Sequence, residues 1–162
     1  MKGSNLKLVG VFLLSAVIIA LFVAFMPSVP SGDAQSVPSV RQYDESDFEN
    51  ITTSEDRVAF LKRYGWEVEL EASEVSDVTI PAEFDNVYRQ YNELQKGEGL
   101  DLEDYKNKTV TRYTYVVTNY DYDGTVYANL LVYKDRVIGG DICSADINGF
   151  LHGFTKGNDF VK

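Results

Sequence analysis

"VYANLLVYKDRVIGGDIC", residues 126–143, is two patterned runs around a short polar break. Val126, Ala128, Leu130 and Val132 alternate with Tyr127, Asn129, Leu131 and Tyr133. That is the period of two of a strand with distinct faces. Lys134-Asp135, with Arg136, forms the turn, and Val137 to Cys143 continues as the next strand. Strands joined by so few residues pair antiparallel. Gly139-Gly140 lies inside the second run, where a bulge is the usual cause.

The same reading extends outward. Thr109 to Thr118 is rich in threonine, tyrosine and valine and predicts the preceding strand. Asn148-Gly149 is a two-residue hairpin signal before Phe150 to Phe154. Upstream, "GWEVELEA" (65–72) places Trp66, Val68 and Leu70 on one face and Glu67, Glu69 and Glu71 on the other, as a half-buried strand does. Two helices are predicted. The first has a capping-box match at Thr52-x-x-Glu55, with Ser54 as a competing N-cap. It carries Val58, Leu61 and Tyr64 at helical spacing and stops at Gly65. The second, in "IPAEFDNVYRQYNELQKGEG" (80–99), has Pro81 near its first turn, Gly97 at its end, and a stripe of Phe84, Val87, Tyr88, Tyr91 and Leu94. "LDLEDY" (100–105) is a connector with room for one helical turn. Helices first and strands later predict an α+β domain, with two N-terminal helices and an antiparallel meander packed on the longer one. A cystatin-like wrap of sheet around helix is the nearest analogy.

The chain start carries a location. Leu8 to Met26 is 19 residues without a charge, about 28 Å as a helix, close to the thickness of a bilayer core. Lys2 and Lys7 precede it, so residues 1–7 are expected in the cytoplasm and the rest outside, with 8–26 as an uncleaved single-pass anchor in the cell membrane. A cleaved signal peptide is the competing reading, with Gly32-Asp33-Ala34 as its site, but its apolar region is usually shorter. Residues 27–50, rich in proline and serine and then acidic, read as a tether. Residues 51–155 read as one extracytoplasmic domain and 156–162 as a tail.

The net charge is −10, and beyond Lys7 there are 13 basic and 25 acidic residues, or −12. Such a surface repels phosphate backbones, so no nucleic-acid partner is expected. Cys143 is the only cysteine, which excludes an internal disulfide.

Three groups of residues bear on chemistry. "NYDYDGTVYANL" (119–130) places Asn119, Asp121 and Asp123 before Gly124 as a calcium loop does, but its twelfth position is Leu130 where such a loop needs a bidentate glutamate. A strand-to-strand turn without an ion is the expectation. Cys143 and His152, the only thiol and the only imidazole, fall on adjacent predicted strands. A two-residue turn at Asn148-Gly149 would pair His152 with Ala145 and Cys143 with Phe154, leaving the two on one face, diagonally apart. With acidic residues near Asp141, they are the candidates for an envelope enzyme. Tyr113, Tyr115, Tyr127 and Tyr133 are candidates for a contact surface, with one face expected to turn inward. No glycine-rich phosphate loop follows a strand and opens a helix, and no cofactor is expected. Asn50 and Asn107 begin glycosylation patterns.

"FLKRYGWEVE", "IPAEFDNVYRQYNELQKGEGLDLEDY", "KTVTRYTYVVTNY" and "VIGGDICSADINGFLHGF" together resemble the bacterial family known as domain of unknown function 4830, over about Ser54 to Phe154. The resemblance implies one N-terminal membrane segment with the domain outside. It also implies that "GWEV", "YNELQ", the "DL" before Tyr105 and "GGDI" are characteristic. It implies no activity, cofactor or catalytic residue. The expected function is a membrane-anchored extracytoplasmic module that binds an envelope protein or peptide, the alternative being a small envelope enzyme.

Overall fold

The computed structural model describes residues 44–156. The anchor expected at 8–26, most of the expected tether at 27–50, and all but the first residue of the expected tail at 156–162 lie outside those residues. No helix among the described residues is long and apolar enough to cross a membrane.

Five strands, β1 (Glu74–Thr79), β2 (Thr109–Val117), β3 (Val126–Tyr133), β4 (Arg136–Ser144) and β5 (Leu151–His152), form one antiparallel sheet in sequence order. Helix α1 is Ser54–Arg63 and α2 is Asn86–Gly97. One-turn 3-10 helices occupy Glu45–Phe48 and Leu102–Tyr105. The α+β class is as expected from the sequence.

The quoted hairpin forms as read. Tyr133 pairs with Arg136, and Lys134 and Asp135 both take positive φ (48° and 62°), the twist a two-residue hairpin requires. The register slips between Leu131 and Val132, where Ile138 is the extra residue, one place before Gly139-Gly140. Gly140 cannot carry a side chain, since a Cβ there would lie 2.2 Å from Asn129 O and 2.4 Å from the Phe154 ring.

Each sheet face carries a helix. On one face Tyr115, Ala128, Leu130, Val132 and Ile142 pack with Phe60 and Leu61 of α1 and its C-cap Tyr64, and with Phe48, Trp66 and Phe154. On the other, Val110, Leu131 and Ile138 pack with Ile80, Phe84 and Leu102, while Tyr88 and Tyr91 of α2 lie against them. The sheet is therefore sandwiched, and it does not wrap a single long helix. The shorter helix covers the larger apolar cluster. The folded part also reaches back before Ile51, because Phe48 is 2% exposed and packs at a tilt on Phe60, ring centroids 5.9 Å apart.

Local signals shift by a few residues. The N-cap of α1 is Thr53, not Thr52 or Ser54. Its hydroxyl accepts from Asp56 N, and the Asp56 carboxylate accepts from Thr53 N at 2.8 Å. α2 starts at Asn86, capped by Asp85, so Pro81 lies before the helix. "GWEVELEA" supplies only a single bridge, Val68 to Val117, and Leu70 is 50% exposed. The edge strand proper is "EVSDVT" (74–79), which pairs with β2 along its length. Ser73 N and Oγ both donate to Thr114 O, and there the chain bends from one segment into the other. The asparagines of both glycosylation patterns, Asn50 and Asn107, have left-handed φ (62° and 63°) and serve as turn residues.

Candidate functional site

The strands bring a polar set to the α2 face of the sheet. Register places Tyr127 opposite Cys143 and Asn129 opposite Asp141. Asn129 is the hub. Its Nδ2 donates to Asp141 Oδ1 (2.9 Å) and towards Cys143 Sγ (3.4 Å), and its Oδ1 accepts from Thr114 Oγ1 (2.8 Å). From α2, the Tyr91 hydroxyl donates to Asp141 Oδ2 (2.8 Å). Toward the edge, Arg112 forms an ion pair with Glu74 at 2.7 Å.

Burial sets the chemistry of this set. It raises the Asp141 carboxyl above its ordinary range, against the lowering effect of the bonds from Asn129 and Tyr91. It pushes Tyr91 well up, reinforced by the Asp141 charge, and Tyr88 up to about 12. It also pushes the Cys143 thiol well up, again reinforced by Asp141. A thiol held protonated is a poor nucleophile. Asp141, 5% exposed and bonded at both oxygens, is occupied in joining α2 to β3 and β4.

Cys143 and His152 do not share a face as the expected turn would have placed them. β5 pairs Ile142 with His152 and Cys143 with Leu151, so the imidazole and the thiol point to opposite faces. The cause is the turn. Gly149 N donates to Asp146 O (3.0 Å), which centres it on Ile147-Asn148, and Ser144 N donates to Phe150 O (3.1 Å). The loop is longer than a two-residue Asn148-Gly149 turn, and the register moves with it. His152 sits in an aromatic group with Trp66, Tyr120 and Phe150. Its Nδ1 lies 2.7 Å from Gly153 O, a pure acceptor, so Nδ1 carries a proton, and Nε2 shares a hydrogen bond with the Tyr120 hydroxyl at 3.0 Å.

The remaining candidates separate in the same way. Tyr115 is fully buried and its hydroxyl accepts from Arg57 Nε (2.8 Å), which removes it from any contact surface. Tyr113 is half-buried beneath the Arg57 guanidinium, 3.8 Å from its ring centroid. Tyr127 and Tyr133 are half-buried on the opposite face, Tyr133 edge-on to Tyr105. Residues 118–125 link β2 to β3. Within that loop Asn119 is held to the chain, accepting from Glu67 N and donating to Gly65 O, while Asp121 and Asp123 are exposed. No group of three or more His, Cys, Asp or Glu able to share an ion occurs among the described residues.

The polar residues that organise this region were not singled out from the sequence. Asn92 (1% exposed) donates to Asp101 and accepts from Leu102 N. Gln95 (0%) clips both backbone groups of Gly140, its Nε2 donating to the carbonyl (3.0 Å) and its Oε1 accepting from the N–H (2.8 Å). Glu98 accepts from Thr155 N and Oγ1. The available signal was an amide or carboxylate recurring at helical spacing beside the apolar stripe of "YNELQKGE". These bonds account for "YNELQ", "DL" and "GGDI" as one clip between helix and sheet.

The family model for Domain of unknown function (DUF4830) matches residues 60–142, a span that contains β3, β4 as far as Ile142, Asn129 with Asp141, and most of the helix clip. No curated protein and no solved structure matches the chain. The chain belongs to the family of domain of unknown function 4830.

Proposed function

We propose that this chain is an extracytoplasmic binding module, anchored in the cell membrane through Leu8–Met26 with its N-terminus in the cytoplasm, that acts by holding an envelope protein or peptide. The observation that carries the reading is the separation of the one thiol and the one imidazole onto opposite sheet faces. Covalent catalysis by a thiol needs it activated, and Cys143 has no imidazole beside it, while burial and the Asp141 carboxyl push its pKa well up rather than down. The anchor is supported by the uncharged length of residues 8–26 and by the lysines before it.

Complementation tests the reading. Cys143→Ser and His152→Ala are expected to restore a deletion strain as the natural chain does, at equal protein level in the membrane fraction. A folded, normally located Cys143→Ser protein that behaves like the deletion would favour the enzyme instead. Mature protein in the culture medium, starting near Gln35, would overturn the anchor.

A further inference from the structure

We infer that β1 is a docking edge for an extended, basic peptide segment lying beside it as a sixth strand; this rests on the binding-module reading and names its surface. Among the described residues β1 ends the sheet order and pairs with β2 alone. Ile80 N donates to Lys108 O at 2.9 Å. By antiparallel alternation, Glu74, Ser76 and Val78 then direct their backbone groups at β2, while Val75, Asp77 and Thr79 direct theirs away from the sheet. An open row of that kind is a template for strand addition. It is also where apolar surface is left uncovered. Val75 is 57% and Leu70 50% exposed, two of the four exposed large hydrophobic residues among those described.

Charge selects the occupant. Between Arg63 and Arg89 the chain has no Lys, Arg or His, and it carries Glu67, Glu69, Glu71, Glu74, Asp77, Glu83 and Asp85. Of these, Glu74 alone is in an ion pair among the described residues. Asp77 is exposed and accepts only a hydroxyl, from Thr111 at 3.2 Å. A second copy of the chain would set these acids against their own images, which disfavours self-pairing. A strand with Lys or Arg meets the opposite condition. Val75 and Asp77 share a face, so the fitting segment has an aliphatic residue and a basic residue two positions apart.

The test uses the full chain in mild detergent and three fluorescent octapeptides: Lys–Val, the repeat Val-Thr-Lys-Thr, which puts Val and Lys two positions apart on one face; Glu–Val, the same with Glu for Lys; and Lys–Pro, the same with Pro for Thr, which has the same charge but cannot form a strand. Fluorescence anisotropy is expected to show the Lys–Val probe binding at least tenfold tighter than either other peptide. Val75→Pro removes an outward N–H and no β1–β2 bond, and Asp77→Lys reverses a charge. Each is expected to weaken Lys–Val binding at least fivefold with the unfolding midpoint kept. Lys–Pro binding as tightly as Lys–Val, or Val75→Pro binding within twofold of the natural chain, overturns strand addition. Absence of any Lys–Val binding overturns it too and leaves the acids as protection against pairing. If Val75→Pro fails to fold, Asp77→Lys together with the Lys–Pro comparison decides. These outcomes are independent of Cys143 and His152, so the docking edge and the binding-module reading can each fail alone.

Discussion

The two faces of the sheet hold their helices by different means. α1 is held mainly by shape. Phe60 touches Phe48, Tyr64 and Phe154 with ring centroids 5.2–5.9 Å apart, inside a cluster that runs through Tyr115, Leu130 and Ile142. α2 is held mainly by hydrogen bonds, from Tyr91 to Asp141, from Asn92 to the loop at Asp101-Leu102, and from Gln95 to Gly140. Its apolar cluster is smaller and aromatic at the rim. Apolar packing is non-directional and tolerates repacking, whereas a buried polar contact is specific and costly to leave half-made. The α1 face therefore supplies bulk stability. The α2 face fixes one register of helix against strand.

Four substitutions can break or sharpen that contrast. Phe60→Ala should cost about 3–5 kcal/mol in chemical denaturation, because a fully buried ring leaves a cavity. A loss under about 1 kcal/mol would mean the α1 face is not the main core. Gln95→Leu keeps the volume nearly constant but strands the N–H and C=O of Gly140, and should cost roughly 2–3 kcal/mol. Stability equal to the natural chain would show that α2 is held by packing as well. Tyr91→Phe removes one hydrogen bond to Asp141 and should cost about 1 kcal/mol, without making Cys143 reactive to thiol reagents in the folded protein. Rapid labelling of Cys143 in that variant would show that Tyr91 shields the thiol.

The smallest effect belongs to the α1 cap. Hydrogen bonds from Thr53 and Thr52 lower the Asp56 carboxyl from 3.8 to about 2. A carboxyl lowered by folding stabilises the native state above its unfolded pKa and loses that contribution as pH falls. Wild-type stability should therefore decline between about pH 4 and pH 2 through this group, and Asp56→Asn should remove that part of the slope while leaving the rest. An unchanged slope in Asp56→Asn would mean the capping box is not formed in solution.

Much of the architecture was legible because it depends on local pattern. The turn at Lys134-Asp135, the alternation of Val126–Tyr133 and the stop at Gly65 are each decided by a few neighbouring residues. Boundaries moved where a side chain one or two places away offered a better cap, as Thr53 and Asp85 did. β1 was not legible. "EVSDVT" has few apolar residues, all at most half-buried, and is a strand because β2 pairs with it. "GWEVELEA" alternates better but bends away at Ser73.

The site depended on one residue. Continued without interruption from the Lys134-Asp135 turn, the hairpin would set Asn129 against Gly140 and turn Asp141 to the α1 face. The extra residue at Ile138 moves every later position by one, so Asp141 and Cys143 meet Asn129 on the α2 face. Elements, turns and acidic charge follow from short stretches of sequence, because propensity and patterning act over a few residues. Gly139-Gly140 signalled a bulge, but its placement at Ile138, the register of β5 and the choice of which helix covers which face follow only from tertiary packing. They depend on contacts between distant segments, such as Gln95 with Gly140 and Phe154 with the sheet, that no local pattern encodes.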